Sequence, residues 1–178
     1  QFFTPPPIAQ FVNEALPIEQ IVVDKLLAKD PNFLPYGIDY AAGSGHFLTE
    51  YMARVDRVLH EIDSSSFTSK TQEGNAVRWS SSLSWASEFV YGLELDHRLA
   101  KTAKIATFLH GDGEANILRA NGLAHFSKDP DFKAAGARLH GTPSSLDKQA
   151  FDVVVANPPY SIPSFALALP HGSDSFEL

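Results

Sequence analysis

An α/β domain with a mostly parallel sheet and helices on both faces is what this sequence predicts, and three observations carry that expectation. Short runs of β-branched and aromatic residues alternate with segments of helical period, the pattern of strands joined by crossover helices. The first such run, residues 37–42, passes straight into Gly43-Ser44-Gly45 and then into a helical pattern. The last, residues 151–156, stops abruptly in Asn157-Pro158-Pro159-Tyr160. Polar chemistry therefore gathers at the carboxyl ends of strands, where open α/β sheets hold their ligands.

The elements follow in order. Pro5, Pro6 and Pro7 are tolerated only before or within the first turn of a helix, and helical pieces are expected over residues 8–16 and, after Pro17, 18–28. The second sets Ile21, Val22, Lys25 and Leu26 at helical spacing, as in a half-buried surface helix. Residues 37–42 read as a short strand. Beyond the glycine turn, Phe47, Leu48, Tyr51, Met52, Val55, Val58, Leu59 and Ile62 fall on one helical face. The serine-rich stretch 64–87 is expected to begin as a mobile loop, with a helical turn over residues 83–86 around Trp85. Residues 89–95 read as a second strand. Asp96 then caps a helix that runs to His110 and stops at Gly111. Residues 115–119 and 151–156 are the third and fourth strands.

Composition bounds the function. The chain has 178 residues, 44% of them hydrophobic and 20% charged, which suits one compact domain. Cysteine is absent, so disulfides and thiolate metal sites are excluded and a cytoplasmic setting is favoured. No apolar run approaches the ~20 residues that span a bilayer. The formal net charge is −7, whereas an unaided DNA binder usually presents a basic face. Acids dominate residues 10–63, and the bases within residues 98–148 are the better candidate for a positive surface. If nucleic acid is the substrate, much of the grip comes from elsewhere.

Each candidate site residue has a plainer alternative. The turn Asp39-Tyr40-Ala41-Ala42-Gly43-Ser44-Gly45 lets the backbone approach a ligand closely beside free helix-start N–H groups, or it is a simple tight turn. It lacks the third glycine of a dinucleotide fingerprint, where Leu48 stands, and the Gly-Lys-Ser/Thr of a P-loop. Nor does Ser44 sit in a Gly-x-Ser-x-Gly elbow. Glu94 ends the second strand, where its carboxylate suits a ribose diol; alone it would be a solvated strand-end acid. The Asn121 amide could read an adenine edge, or Asn121-Gly122 could be an ordinary turn. The seven histidines show no metal-ligand spacing and read as surface or core residues, so no metal site is expected.

Asn157-Pro158-Pro159-Tyr160 is harder to dismiss as a turn, because two consecutive prolines remove two backbone donors. The Asn157 side-chain oxygen and the Pro158 carbonyl, held by Pro159, make two fixed acceptors. Two acceptors suit the two N–H groups of a planar exocyclic amine, favouring its conversion to a tetrahedral nucleophile without a strong base. Tyr160 adds a stacking face worth roughly 1–3 kcal/mol per base, comparable to the few kcal/mol of extracting a base from a duplex.

These stretches, taken together and in order, resemble the S-adenosylmethionine-dependent N6-adenine DNA methyltransferases, most closely the modification subunits of type I restriction–modification systems. "QFFTPPPIAQF" resembles the family's N-terminal motif, "DYAAGSGHFL" its glycine-rich motif and "VYGLELD" its acidic ribose motif. "HGDGEANILRANGL" resembles the adenine-reading segment and "FDVVVANPPY" the catalytic motif. The resemblance implies a Rossmann-like methyltransferase fold, cut short after the fourth strand. It divides the chain into an N-terminal helical segment, 1–35, and a catalytic domain, 36–178. It implies that Thr4 binds the methionine carboxylate of S-adenosyl-L-methionine, and that Asp39, Ala41, Gly43, Ser44 and Gly45 line its amino end. Glu94 and Leu95 then border the ribose, Asn121 and Gly122 the cofactor adenine, and Asn157 both the cofactor and the reacting base. Asn157, Pro158, Pro159 and Tyr160 form the catalytic set. Where Asn121 stands the family often has Asp. Double-stranded DNA with a flipped adenine is the implied substrate. No target-recognition region is present, so a separate specificity subunit or domain is expected, with a restriction subunit as a further partner. Protein-glutamine methyltransferases share Asn-Pro-Pro-Tyr, but the "FFTPP" segment belongs to the DNA group. A non-catalytic cofactor-binding module within a larger assembly is the remaining alternative.

Overall fold

The computed structural model describes residues 4–81, 83–112, 116–123 and 151–158. Four parallel strands, β1 (Gly37–Asp39), β2 (Val90–Glu94), β3 (Asn116–Arg119) and β4 (Val153–Val154), lie in the order β3-β2-β1-β4. The chain steps outward from β1 to β2 to β3, then returns to the far side of β1. The reversal falls between β1 and β4, which makes their carboxyl ends the expected ligand crevice. The α/β class and the parallel sheet agree with the sequence pattern.

Two helices precede the sheet. α1 (Pro6–Glu14) starts with proline at its first position, where a missing N–H is harmless, and buries Ala9 and Asn13 one turn apart. Asn13 Nδ2 donates to the Ala9 carbonyl and across to Phe47 O at 3.3 Å. α2 (Ile18–Leu27) buries Ile18, Val22 and Leu26, every fourth residue.

α3 (His46–Glu61) is the organising helix. It buries Phe47, Leu48, Tyr51, Met52, Val55, Val58 and Leu59, the apolar face read from the sequence, and buries Arg54 as well. Fully burying one such apolar side chain is worth about 1.5–3 kcal/mol. Arg54 is neutralised where it is buried, by Glu19 and by Glu14 at 3.4 Å, which pins α1 and α2 to α3. α3 contacts β1 and β2, and α6 (His97–Thr107) contacts β2, β3 and α3. Right-handed crossovers put both helices on one face of the sheet. They come close because the strands carry glycine there. A Cβ on Gly92 would lie 2.7 Å from Leu48 Cδ1 and 2.8 Å from Ile117 Cδ1, and one on Gly37 would strike the Tyr51 ring. Ile38, Tyr91, Leu93 and Leu118 are buried on the opposite face.

Asp96 caps α6 as expected, its Oδ1 accepting from the N–H groups of Arg98 and Leu99 at 2.8 and 3.3 Å. Below α6 the chain makes one wide turn over Phe108–Asp112, where Gly111 takes φ 108°. The strands are shorter than the sequence suggested, since residues 40–42 already belong to the turn after β1 and β4 pairs through only two residues. The stretch 64–87 departs most from expectation. It holds a short 3₁₀ turn at Ser64–Ser66, helix α4 (Lys70–Ser80), a second 3₁₀ turn at Leu83–Trp85 and helix α5 (Ala86–Phe89). Ser69 caps α4, accepting from Gln72 N–H at 3.2 Å. Gln72 is fully buried with its amide satisfied: Nε2 donates to the Leu26 and Asp30 carbonyls, and Oε1 accepts from Thr68. Trp79 at the end of α4 meets Phe33 and Phe89, and Phe89 meets Tyr36, with centroids 4.6–5.2 Å apart. This aromatic cluster sits at the amino ends of β1 and β2, away from the crevice. Among the described residues no helix is long and apolar enough to cross a membrane.

Candidate active site

The crevice is built from three distant parts of the sequence. Thr4 comes from the segment before α1, Ala41, Ala42, Gly43 and Ser44 from the turn after β1, His46 and Phe47 from the start of α3, and Asn157 from just beyond β4. These eight residues line one cleft. Of the site residues expected from the sequence, Thr4, Ala41, Gly43, Ser44 and Asn157 meet there.

The turn is held open by backbone geometry. Gly43 and Gly45 take φ of 54° and 89°, in the left-handed region where other L-residues are strained. Gly45 N–H donates to the Ala42 carbonyl at 2.8 Å and closes the turn, and Ala42 N–H donates to Leu93 O at 2.9 Å, tying it to β2. A Cβ on Gly45 would lie 3.2 Å from Ala103, so its missing side chain also lets α6 approach. A Cβ on Gly43 would meet only Ala41 O, at 3.9 Å. The space beside Gly43 is open to a ligand.

Two acids brace the turn from behind. Asp39, at the end of β1, is only 1% exposed; its Oδ1 accepts from Ala41 N–H at 2.9 Å, and its Oδ2 is buried with no partner among the described residues. Burial pushes its carboxyl up to about 7; the Ala41 N–H opposes that shift and the nearby Glu94 charge adds to it. Glu94 joins the turn to β2. Its Oε2 accepts from Gly43 N–H at 2.8 Å and its Oε1 from Asp96 N–H at 2.7 Å. A carboxylate has about four acceptor positions, so the two bonds leave room for a diol. Asp39, Gly45 and Glu94 thus shape the cleft wall rather than its lining.

The other expected residues divide. Leu95 is largely exposed. The Asn121 side-chain oxygen accepts from Leu123 N–H at 3.1 Å, the local turn that was its plainer alternative, and keeps one lone pair. A Cβ on Gly122 would run into the Tyr40 carbonyl, so the 121–123 turn packs directly on the loop after β1. Pro158 is half-buried, while Pro159 and Tyr160 lie outside the described residues.

Ala42, Phe47 and His46 also line the cleft without having been singled out. Ala42 and Phe47 were visible as neighbours of the glycine turn. His46 read as an ordinary surface or core histidine, yet its Nδ1 lies 3.1 Å from the Thr4 carbonyl. A carbonyl only accepts, so Nδ1 carries the proton. Thr4 in turn meets Asn157: its Oγ1 accepts from Asn157 Nδ2 at 2.9 Å across 153 residues of sequence. At the other end of β4, Asp152 Oδ2 accepts from Tyr36 N–H at 2.7 Å and from Lys25 at 2.5 Å.

A glycine-lined crevice at the switch point of a parallel sheet, with an acid ending β2 and Asn-Pro ending β4, defines a Rossmann-like methyltransferase domain. The chain belongs to the N-6 DNA methylase family, whose profile matches residues 1–171. No curated protein matches it. Membership makes it a methyltransferase of the DNA N6-adenine class. A methyl donor with an amino-acid end fits the residues present: the space beside Gly43 is open, and among the described residues Asp39 Oδ2 is a buried carboxyl oxygen without a partner.

Proposed function

We propose that this protein transfers a methyl group from S-adenosyl-L-methionine to the N6 amine of an adenine in double-stranded DNA, as the modification component of a restriction–modification system. When bound, the cofactor supplies an electrophilic methyl group on a sulfonium sulfur. The chain's own residues bind and orient. Thr4 holds the carboxylate of the amino-acid end, the turn from Ala41 to Gly45 cradles that end, and Glu94 takes the ribose hydroxyls. Asn157 Oδ1 and the Pro158 carbonyl accept from the two N–H groups of the target amine, drawing its lone pair out of the ring as charge develops on nitrogen. Pro159 fixes the Pro158 carbonyl, and Tyr160 stacks on the adenine turned out of the duplex.

The observation that carries this reading is the meeting of Asn157 with Thr4 and the glycine turn in one cleft. An amide acceptor for the base and a seat for the methyl donor belong within one reaction distance, and the residues proposed for the two roles line one cleft. The net charge of −7 favours a separate specificity subunit as the source of DNA affinity and site choice, with a restriction subunit as a further partner in the assembly.

The test is transfer of labelled methyl groups from S-adenosyl-L-methionine to duplex DNA by the full-length protein with its specificity partner. Label in N6-methyladenine is the expected result. Label in a protein glutamine instead, or cofactor binding with no transfer to DNA, overturns the reading.

A further inference from the structure

The Asn157 amide has two faces with opposite chemistry. Only its oxygen can accept from an amine; if the amide were turned over, two N–H donors would face two N–H donors. The end of β4 does not decide between these orientations, because Asn157 is exposed and β4 is paired through only Val153 and Val154. Thr4 does. Its Oγ1 accepts from Asn157 Nδ2 at 2.9 Å, so Oδ1 is the amide atom left for the cleft that Asn157 lines. A hydroxyl can also donate, so the choice depends on where the Thr4 hydrogen goes. If that hydrogen is committed to an anion in the cleft, Oγ1 can only accept from Asn157.

Resting on the function proposed above, we infer that Thr4 is a positioning residue that couples the two halves of the site. Its hydroxyl donates to the carboxylate of the methyl donor and thereby sets the Asn157 amide with its oxygen toward the target base. His46 belongs to the same device. It opens α3 on the floor of the cleft, and its Nδ1–H donates to the Thr4 carbonyl at 3.1 Å, holding the segment before α1 in reach of Asn157. The chain His46, Thr4, Asn157 thus joins the start of α3 to the segment after β4, through the Thr4 backbone carbonyl on one side and its hydroxyl on the other. Cofactor binding then preorganises the amide before DNA arrives, and a ligand lacking the carboxylate does not.

The experiment reads the Asn157 side-chain amide by ¹⁵N NMR of the full-length protein, its signal identified by loss in Asn157→Asp. S-adenosylhomocysteine, which carries the carboxylate, is expected to shift the amide pair and slow its exchange with water. 5′-Methylthioadenosine, which lacks the carboxylate, leaves the pair unchanged. Thr4→Val, close in shape without the hydroxyl, abolishes the response, and Thr4→Ser retains it. His46→Asn places an N–H near the position of Nδ1 and keeps the response; His46→Gln, whose amide reaches the Nε2 position, loses it. In single-turnover methylation at saturating cofactor and DNA, Thr4→Val slows transfer about tenfold and Thr4→Ser restores it. An unaltered amide response in Thr4→Val, or equal responses to the two ligands, overturns the inference. A correct amide response in a wild-type assembly that methylates no adenine leaves the coupling standing and removes the proposed reaction instead.

Discussion

Two halves of this domain are held together in different ways. Around β1, β2 and α3 the fold is made by close packing: Gly37 lies under Tyr51, Gly92 under Leu48 and Ile117, and the helix face above them is almost entirely buried. Around β4, Val153 and Val155 still reach the core, but both ends of the segment are set by a few hydrogen bonds. β4 pairs with β1 through two residues, its start is fixed by Asp152 and its end meets the rest of the site through Thr4. Packing is cooperative and indifferent to the chemistry of a ligand. Hydrogen-bonded ends are cheap to rearrange and sensitive to it. The cleft takes its glycine turn from the first and the Asn157 amide from the second, so substitutions in the two halves should fail differently.

The largest effect belongs to β4. In the proposed reaction Asn157→Ala removes an acceptor for the target amine, and loss of one preorganised group of this kind slows an enzyme by about 10²–10³. Because Asn157 is exposed and outside the packed half, the melting temperature should barely move. Single-turnover methylation together with a thermal melt checks both parts. A variant that loses stability and activity together would erase the distinction between the halves.

The second effect lies in the packed half and depends on pH. The Asp39 carboxyl rises from near 4 in the unfolded chain to about 7 in the fold, chiefly through burial. The folded state therefore binds more protons than the unfolded one between those values, and this group favours folding less and less as pH rises from about 4 to 7. Asp39→Asn keeps an oxygen for Ala41 N–H and cannot ionise. Its stability relative to wild type should climb through that window and level off above it, the gain being on the order of 4 kcal/mol by pH 8. Glu19, Asp63 and Asp96 are held below the usual carboxylate range by side-chain and backbone hydrogen bonds and pull the other way, so the difference between the two proteins is the quantity to follow in urea melts. A flat difference would mean that Asp39 ionises as freely in the fold as out of it.

What the sequence revealed follows the same division. Local rules were legible: Asp96 as a cap, the glycine turn after β1 and the α3 face from Phe47 to Leu59 rest on residues within a turn or two of one another. α4 was hidden because its buried stripe of Gln72, Ala76 and Trp79 opens with a polar residue and its flanking serines resemble a loop. Gln72 is buried because its amide finds partners on α2 and on the chain beyond it, which no local pattern announces. The strand ends were over-extended for a related reason, since residues 40–42 have strand composition but turn away, Ala42 meeting Leu93 and the following Gly43 meeting Glu94. In the site, the glycine turn could be read, but the bonds from Thr4 to Asn157 and from Thr4 to His46 could not. They depend on how α1 docks on α3, through Asn13 and the buried Arg54.

The third effect tests the packed half by shape alone. A methyl group on Gly37 would strike the Tyr51 ring, which is fully buried and whose hydroxyl donates to Pro35 O at 2.8 Å, so the ring has little freedom to retreat. Gly37→Ala should therefore destabilise the protein by about 2 kcal/mol, within the range for overpacked cores. The rate of transfer by the remaining folded protein should stay near normal. A large loss of rate in the folded fraction would mean that strain under α3 is passed to the glycine turn.

The smallest effect returns to β4. Lys25 and Asp152 are side chains with 17% and 22% exposure, so their ion pair is partly screened by water. Asp152→Asn removes the charge but keeps an oxygen for Tyr36 N–H, and Lys25 keeps the Leu34 carbonyl at 3.3 Å and the face of Tyr36. Most of the latch survives, and the loss should be about 1 kcal/mol or less. High salt should narrow the gap between variant and wild type, since it weakens the pair in the latter. The position of β4 depends on this latch at one end and on Thr4 at the other, so the rate of transfer should fall severalfold while stability hardly changes. Urea melts at low and high salt, run beside single-turnover assays, separate the two. If stability falls and the rate does not, Asp152 merely secures the strand, and the placing of Asn157 is left to Thr4.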